Sequence, residues 1–146
     1  MIRKYTQEEI PTLLVIWEKA AKLAHPFLSD DFHEMVKNAM KDMYLPNSDT
    51  WIYVESGIIV GFISMLGNEI GGLFVDPKQH SKGIGTSLIN HMKQFHTELE
   101  VEVFERNKIG KPFYEKHGFK VIKEYVMKET SQKVLRMKKT LSFQKL

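Results

Sequence analysis

At 146 residues, 42% of them hydrophobic, the chain is long enough to bury one core and too apolar to stay disordered. Its net charge of +3 is thinly spread, unlike the dense basic stripe of a nucleic-acid binder. The absence of cysteine excludes disulfides, thiolate metal sites and a cysteine acyl-enzyme. No apolar run approaches the ~18 residues needed to cross a bilayer, and no signal-peptide core is visible at the start. The expectation is one cytoplasmic domain over residues 1–146, with no membrane and no nucleic-acid partner.

Ile2 to Tyr5 is a short strand candidate, followed by Thr6-Gln7-Glu8-Glu9 with capping-box spacing. Ile10, Leu13, Leu14 and Trp17 form one stripe of a helix to about Lys22, with Pro11 in its tolerant first turns. His25-Pro26-Phe27-Leu28 breaks that helix, because the residue before proline avoids the helical region. Ser29-Asp30-Asp31 starts a second helix to about Tyr44, its acids at the favourable end, and Pro46-Asn47-Ser48-Asp49 ends it.

Trp51 to Glu55 and Ile58 to Leu66, joined by Ser56-Gly57, read as a hairpin. Gly67-Asn68 turns the chain into a third antiparallel strand, Glu69 to Val75. A helix from Gly83 to about His96 then carries Ile84, Leu88, Met92 and Phe95 on one face. Leu99 to Phe104 alternates with period two, and the strand-helix-strand crossover makes it parallel to the strand before the helix. A short helix, Asn107 to His117, ends at Gly118, and Phe119 to Met127 with Lys133 to Leu141 forms a closing hairpin around Thr130-Ser131. The expected fold class is α/β (α+β), with a mixed sheet of about seven strands and about four helices.

The stretch Val75-Asp-Pro-Lys-Gln-His-Ser-Lys-Gly-Ile-Gly-Thr-Ser-Leu88 organises the rest. Pro77 stops the strand, Gly83 and Gly85 follow, and a helix opens whose first amides lack intrahelical acceptors. Such a turn is either a simple tight turn or a phosphate cradle in which glycines let an anion approach. It is not a P-loop, since no Gly-Lys-Ser/Thr follows the required spacer, and the third glycine of a dinucleotide fingerprint would fall at Leu88.

The loop resembles the pyrophosphate loop of the GNAT (GCN5-related) N-acetyltransferases, Arg/Gln-x-x-Gly-x-Gly/Ala after a Val-x-Pro strand end, with His80 standing in the first position. Asn107, Phe113, Tyr114, Gly118 and Phe119 also match that family's Asn-x-x-Ala-x-x-Phe-Tyr-x-x-x-Gly-Phe motif in register, with Gly110 in place of Ala. Pro112 is a second departure and suggests a short or bent helix. Trp17 followed by His25-Pro26-Phe27-Leu28-Ser29 looks like a branch of small bacterial acetyltransferases.

The resemblance implies a GNAT fold splayed at the cofactor site and acetyl transfer directly from acetyl-CoA to a primary amine of a small molecule or peptide. It places the pantetheine arm against Leu73, Phe74 and Val75, and the pyrophosphate on His80, Ser81, Lys82, Gly83, Ile84, Gly85 and Thr86. Lys82 reads equally as a solvated loop lysine. Asn107 and Phe113 belong to the cofactor side, and Tyr114 to both cofactor binding and catalysis, its phenol protonating the departing thiolate. Glu102 and Glu69 are the candidate bases for the acceptor ammonium, or simply solvent-facing strand residues.

The acceptor side is expected to include Trp17, His25, Phe27 and Tyr125, with Asp30, Asp31 and Glu34 to attract a cation. The bland reading is the stronger for each: the aromatics as core, the acids as helix-terminal charges. The histidines lack metal-ligand spacing, so no metal is proposed. A non-catalytic acyl-CoA sensor is the rival function. A monomer or a homodimer is compatible with the sequence.

Overall fold

The computed structural model describes residues 1–141. Its strands form one seven-stranded sheet in the order β1-β2-β3-β4-β5-β7-β6. They are β1 (Ile2–Lys4), β2 (Asp49–Glu55), β3 (Ile58–Leu66), β4 (Glu69–Val75), β5 (Glu98–Phe104), β6 (Lys120–Met127) and β7 (Gln132–Thr140). All neighbours pair antiparallel except β4 and β5, which are parallel as the crossover requires. The mixed α/β architecture is the one expected.

Two layers of helix cover the sheet. On one face α1 (Ile10–Ala24) buries Leu13, Leu14, Ile16 and Trp17 against Ile52 and Phe62, with α2 (Asp30–Ala39) alongside. On the other, α4 (Ile84–Met92) and α5 (Gly110–Lys116) enclose Val60, Ile63, Leu99, Val101, Val103, Leu135 and Met137. Period-two alternation along β5 puts its valines on the α4 face and Glu98, Glu100 and Glu102 on the other. Among the described residues no helix is long and apolar enough to cross a membrane.

Element boundaries depart from expectation in three places. The second helix keeps its Ser29 cap, whose Oγ accepts the Phe32 amide at 3.1 Å, but α2 stops at Ala39. A π-helical turn, Met40–Tyr44, then leads into the single turn α3 (Leu45–Asn47), so Pro46 sits inside helical backbone rather than ending it. Pro46 gives no N–H to the ladder, and it is just before this position that the α-helical pattern lapses into the π turn. α4 ends at Met92, and tight turns at Gln94 and Phe95 rotate Phe95 off the buried face to stack on Trp51 at 5.6 Å, with the side chain 55% exposed. α5 begins at Gly110 because the Asn107 side chain caps it from outside, accepting the amides of Ile109 and Gly110.

Candidate active site

The parallel pair β4–β5 is in register only at Glu69↔Glu100 and Ile70↔Val101. Beyond it the strands part, and β4 carries a β-bulge at that point. Met65 pairs with Ile70 while Ser64 pairs with Gly72, leaving Gly71 unmatched in β4. Such an insertion bends the bulged strand and increases its twist. The gap is a cavity of about 640 Å³, walled by β4, β5, the ends of α1 and α5, and the loop into α4.

Most residues expected on the cofactor side lie on this wall: Leu73, Phe74, Val75, His80, Ser81, Gly83, Ile84, Gly85, Thr86, Asn107, Phe113 and Tyr114. Lys82 does not; it is exposed, and its Nζ donates to Gln79 Oε1 at 3.0 Å. His80 folds back so that its Nε2 lies 2.9 Å from the Val75 carbonyl oxygen. This contact ties the loop back to the end of β4.

The two loop glycines serve different ends. Gly83 has φ +79° with open space where a Cβ would stand, and Ser81 beside it is also left-handed at φ 66°. Together they turn the chain so that the Ile84, Gly85 and Thr86 amides open α4 without intrahelical partners. Gly85, by contrast, makes room inside the protein: a Cβ there would lie 3.1 Å from the Phe113 ring. α5 packs onto α4 through that contact, and Thr86 Oγ1 meets His117 Nε2 at 3.0 Å. The cradle of amides facing the cavity fits a diphosphate.

Tyr114 reaches the cavity from α5 with only 6% of its surface exposed. Burial raises its phenol pKa above the ordinary value, and no hydrogen bond contributes. His25, at the end of α1, lines the cavity between the Phe27 and Phe104 rings, at 5.8 and 5.0 Å. Burial, and then His33, push its imidazole down to about 4, so it is neutral at physiological pH.

The carboxylates are not free-standing. Arg136 on β7 gathers Glu100 (Nε to Oε1, 2.6 Å), Glu69 and Glu102 (both from Nη1, 3.3 Å) on the sheet face beside α1. Glu102 also accepts the Tyr125 hydroxyl at 2.8 Å, and burial together with that bond pushes Tyr125 up to about 12. Glu102 borders the cavity, whereas Glu69 stands outside its wall. Three carboxylates against one guanidinium leave this face acidic.

The other acceptor-side candidates are dispersed. Trp17 is 4% exposed in the core, edge-on to Phe74 at 6.4 Å, and is not on the cavity wall. Burial of the α1 stripe decides its position. Phe27 stands behind His25, with the Arg106 guanidinium 4.9 Å above its ring. Sequence reasoning passed over Arg136 as a site residue and missed Phe104. The available signal was the opposed charge of Glu-x-Glu in β5 and the basic β7, legible only once the pairing Glu102↔Arg136 is known.

Comparison with known proteins adds to this geometry. The family described as "Acetyltransferase (GNAT) domain" matches residues 1–141. The chain is 32% identical to the peptidyl-lysine N-acetyltransferase YiaC of Escherichia coli K12 over 123 residues, 84% of either chain. It is 33% identical over 121 residues, 82% of either chain, to the peptidyl-lysine N-acetyltransferase YjaB of the same organism. The solution structure of apo YjaB superposes with a TM-score of 0.87 at 28% identity, covering 97% of this chain and 98% of that one. A Thermoplasma acidophilum PaiA N-acetyltransferase, solved with coenzyme A, shares the fold at a TM-score of 0.72 and 22% identity, covering 93% and 96%.

Proposed function

Since the chain belongs to the GNAT acetyltransferase family, we propose that it transfers acetyl from acetyl-CoA to the side-chain amine of lysine in a peptide or protein. The observation that carries this reading is the parting of β4 from β5 beside Tyr114, with unpaired amides at the α4 end of the gap. An extended thiol-bearing arm fits between the strands, and its diphosphate fits residues 81–86. Acetyl-CoA would supply the thioester carbonyl that the amine attacks.

The protein's part is proton management and placement. Tyr114 holds a proton at the buried end of the cavity and gives it to the departing sulfur, whose thiolate is equally disfavoured by desolvation. Glu102, at the cavity edge, receives the proton of the incoming ammonium directly or through water. Arg136 and Tyr125 hold that carboxylate in place while Glu69 and Glu100 add negative potential. A lysine ammonium suits this acidic face better than a neutral amine does. The family membership favours catalysis over a sensor. The names of YiaC and YjaB support a peptide lysine as acceptor.

The experiment has two arms. Saturating acetyl-CoA at about 100 times its dissociation constant should stabilise the fold by about 2.7 kcal/mol, seen as a raised melting temperature, with ATP and NAD as controls. Mass spectrometry of an N-terminally blocked lysine peptide should then show acetyl addition. Equal stabilisation by ATP refutes the cofactor; transfer only to α-amines or small amines refutes the lysine acceptor.

A further inference from the structure

A hydrogen bond at the cavity mouth has its polarity fixed by its neighbours. Asn107 Oδ1 accepts the backbone N–H groups of Ile109 at 3.0 Å and Gly110 at 2.8 Å. Backbone amides only donate, so that end of the side chain is the carbonyl. The NH₂ end faces His25 Nε2 at 3.2 Å. Because an amide NH₂ also only donates, Nε2 must be bare and the ring proton must sit on Nδ1. His33 is constrained the opposite way, its Nε2 lying 3.1 Å from the backbone carbonyl oxygen of His25. A cationic His25 would set N–H against N–H₂, so the link exists only while the ring is neutral.

Gly110 protects the same bond. A Cβ at that position would fall 2.6 Å from Asn107 Nδ2, 3.1 Å from its Cγ and 3.2 Å from Val103 Cγ2. A methyl group there would press on the Asn107 amide and push it off its line to His25. The Asn107 backbone oxygen also accepts the Lys111 amide, at 3.2 Å, so this residue sets the entire first turn of α5. Tyr114 stands one turn further on.

Building on the cleft as the transfer site, we infer that His25 is a positioning residue: its Nδ1-protonated imidazole holds the Asn107 amide, and through it the α5 turn that aims Tyr114 into the cavity. It ties the loop after α1, on the acceptor side, to the helix that carries the acid. Arg106 stacks on Phe27 and keeps that ring against His25. His25 itself neither gives nor takes a proton during transfer.

The test is a long-range ¹H–¹⁵N spectrum of the full chain, histidine-labelled, near neutral pH. His25, assigned by its loss in His25→Gln, should appear neutral with Nδ1 protonated, while His33 carries its proton on Nε2. In Gly110→Ala the His25 signal should move and the His33 signal should stay. An Nε2-protonated or cationic His25 overturns the inference.

In kinetics, His25→Ala should lower kcat by on the order of tenfold to a hundredfold, with KM for acetyl-CoA changed less than about twofold. His25→Gln, whose carbonyl can accept the same N–H, should recover most of that loss, and Gly110→Ala should reproduce it in a folded protein. Full kcat in both His25→Ala and Gly110→Ala overturns the positioning role whichever tautomer is found. If the wild-type chain binds acetyl-CoA but acetylates no amine, the transfer reading fails and the positioning role falls with it. The spectrum still reports on the hydrogen bond alone, which keeps the two failures distinct.

Discussion

Replacing Tyr114 with Phe removes one oxygen and keeps the ring. That ring packs edge-on against Phe113 at 5.3 Å and Phe119 at 5.2 Å, contacts that survive the change. Burial alone raises the phenol's pKa, so removing the hydroxyl takes a desolvated polar group out of the core. Stability should therefore stay within about 1 kcal/mol of wild type. Tyr114→Ala, by contrast, opens a hole in the core and should cost about 3–5 kcal/mol.

Turnover is where Tyr114→Phe should be felt. A positioned general acid is worth ~10²–10⁴ in rate, or about 2.7–5.5 kcal/mol of activation free energy. Release of free thiol from acetyl-CoA follows kcat, calorimetry follows cofactor affinity, and urea melts follow stability. The expected pattern is a large fall in kcat with affinity and stability nearly unchanged. A variant that turns over at the wild-type rate refutes the reasoning and moves the proton source to water.

Arg136→Leu leaves Glu69, Glu100 and Glu102 facing one another without their shared cation. These groups are partly solvated, so the loss should be about 1–2 kcal/mol, smaller at high salt; urea melts insensitive to salt would contradict this. Gly83→Ala forces a side chain into φ +79° and should cost about 1–2 kcal/mol while weakening acetyl-CoA, both readable in one thermal titration. An unchanged melting temperature would mean the loop relaxes.

Acid should destabilise the fold through His25. Its pKa is lowered from 6.5 in the reference state to about 4 when folded, so between those values the unfolded chain binds the extra proton. The stabilisation is complete above pH 6.5 and is lost as pH falls toward 4, by at most roughly 3 kcal/mol. Denaturant melts of His25→Gln should show a shallower acid slope than wild type. Equal slopes would place the acid sensitivity elsewhere, with His117, whose pKa burial also lowers, the next group to test.

Local chemistry along the chain was enough for the order of elements, the crossover and the family. Alternation, turn glycines and prolines act over a few residues and need no knowledge of partners. The glycine loop and the Asn107 to Phe119 motif carried the cofactor expectation for the same reason. Helix ends were less legible. α4 stops at Met92 and α2 passes into a π turn without a glycine or proline at either junction to mark the change.

The remainder depended on which strands lie side by side. Arg136 reaches Glu69 and Glu102 across 67 and 34 residues of sequence, through a register that alternation alone does not reveal. The bulge at Gly71 is visible only in the pairing with β3, and the parting of β4 from β5 only in the short register those two strands share. Asn107 and His25 are 82 residues apart, and the tight fit at Gly110 is visible only when their side chains meet. The family and the order of elements are thus set by short-range chemistry in the sequence, whereas the splay, the shared arginine and the His25–Asn107 bond arise from long-range juxtaposition that only the folded chain supplies.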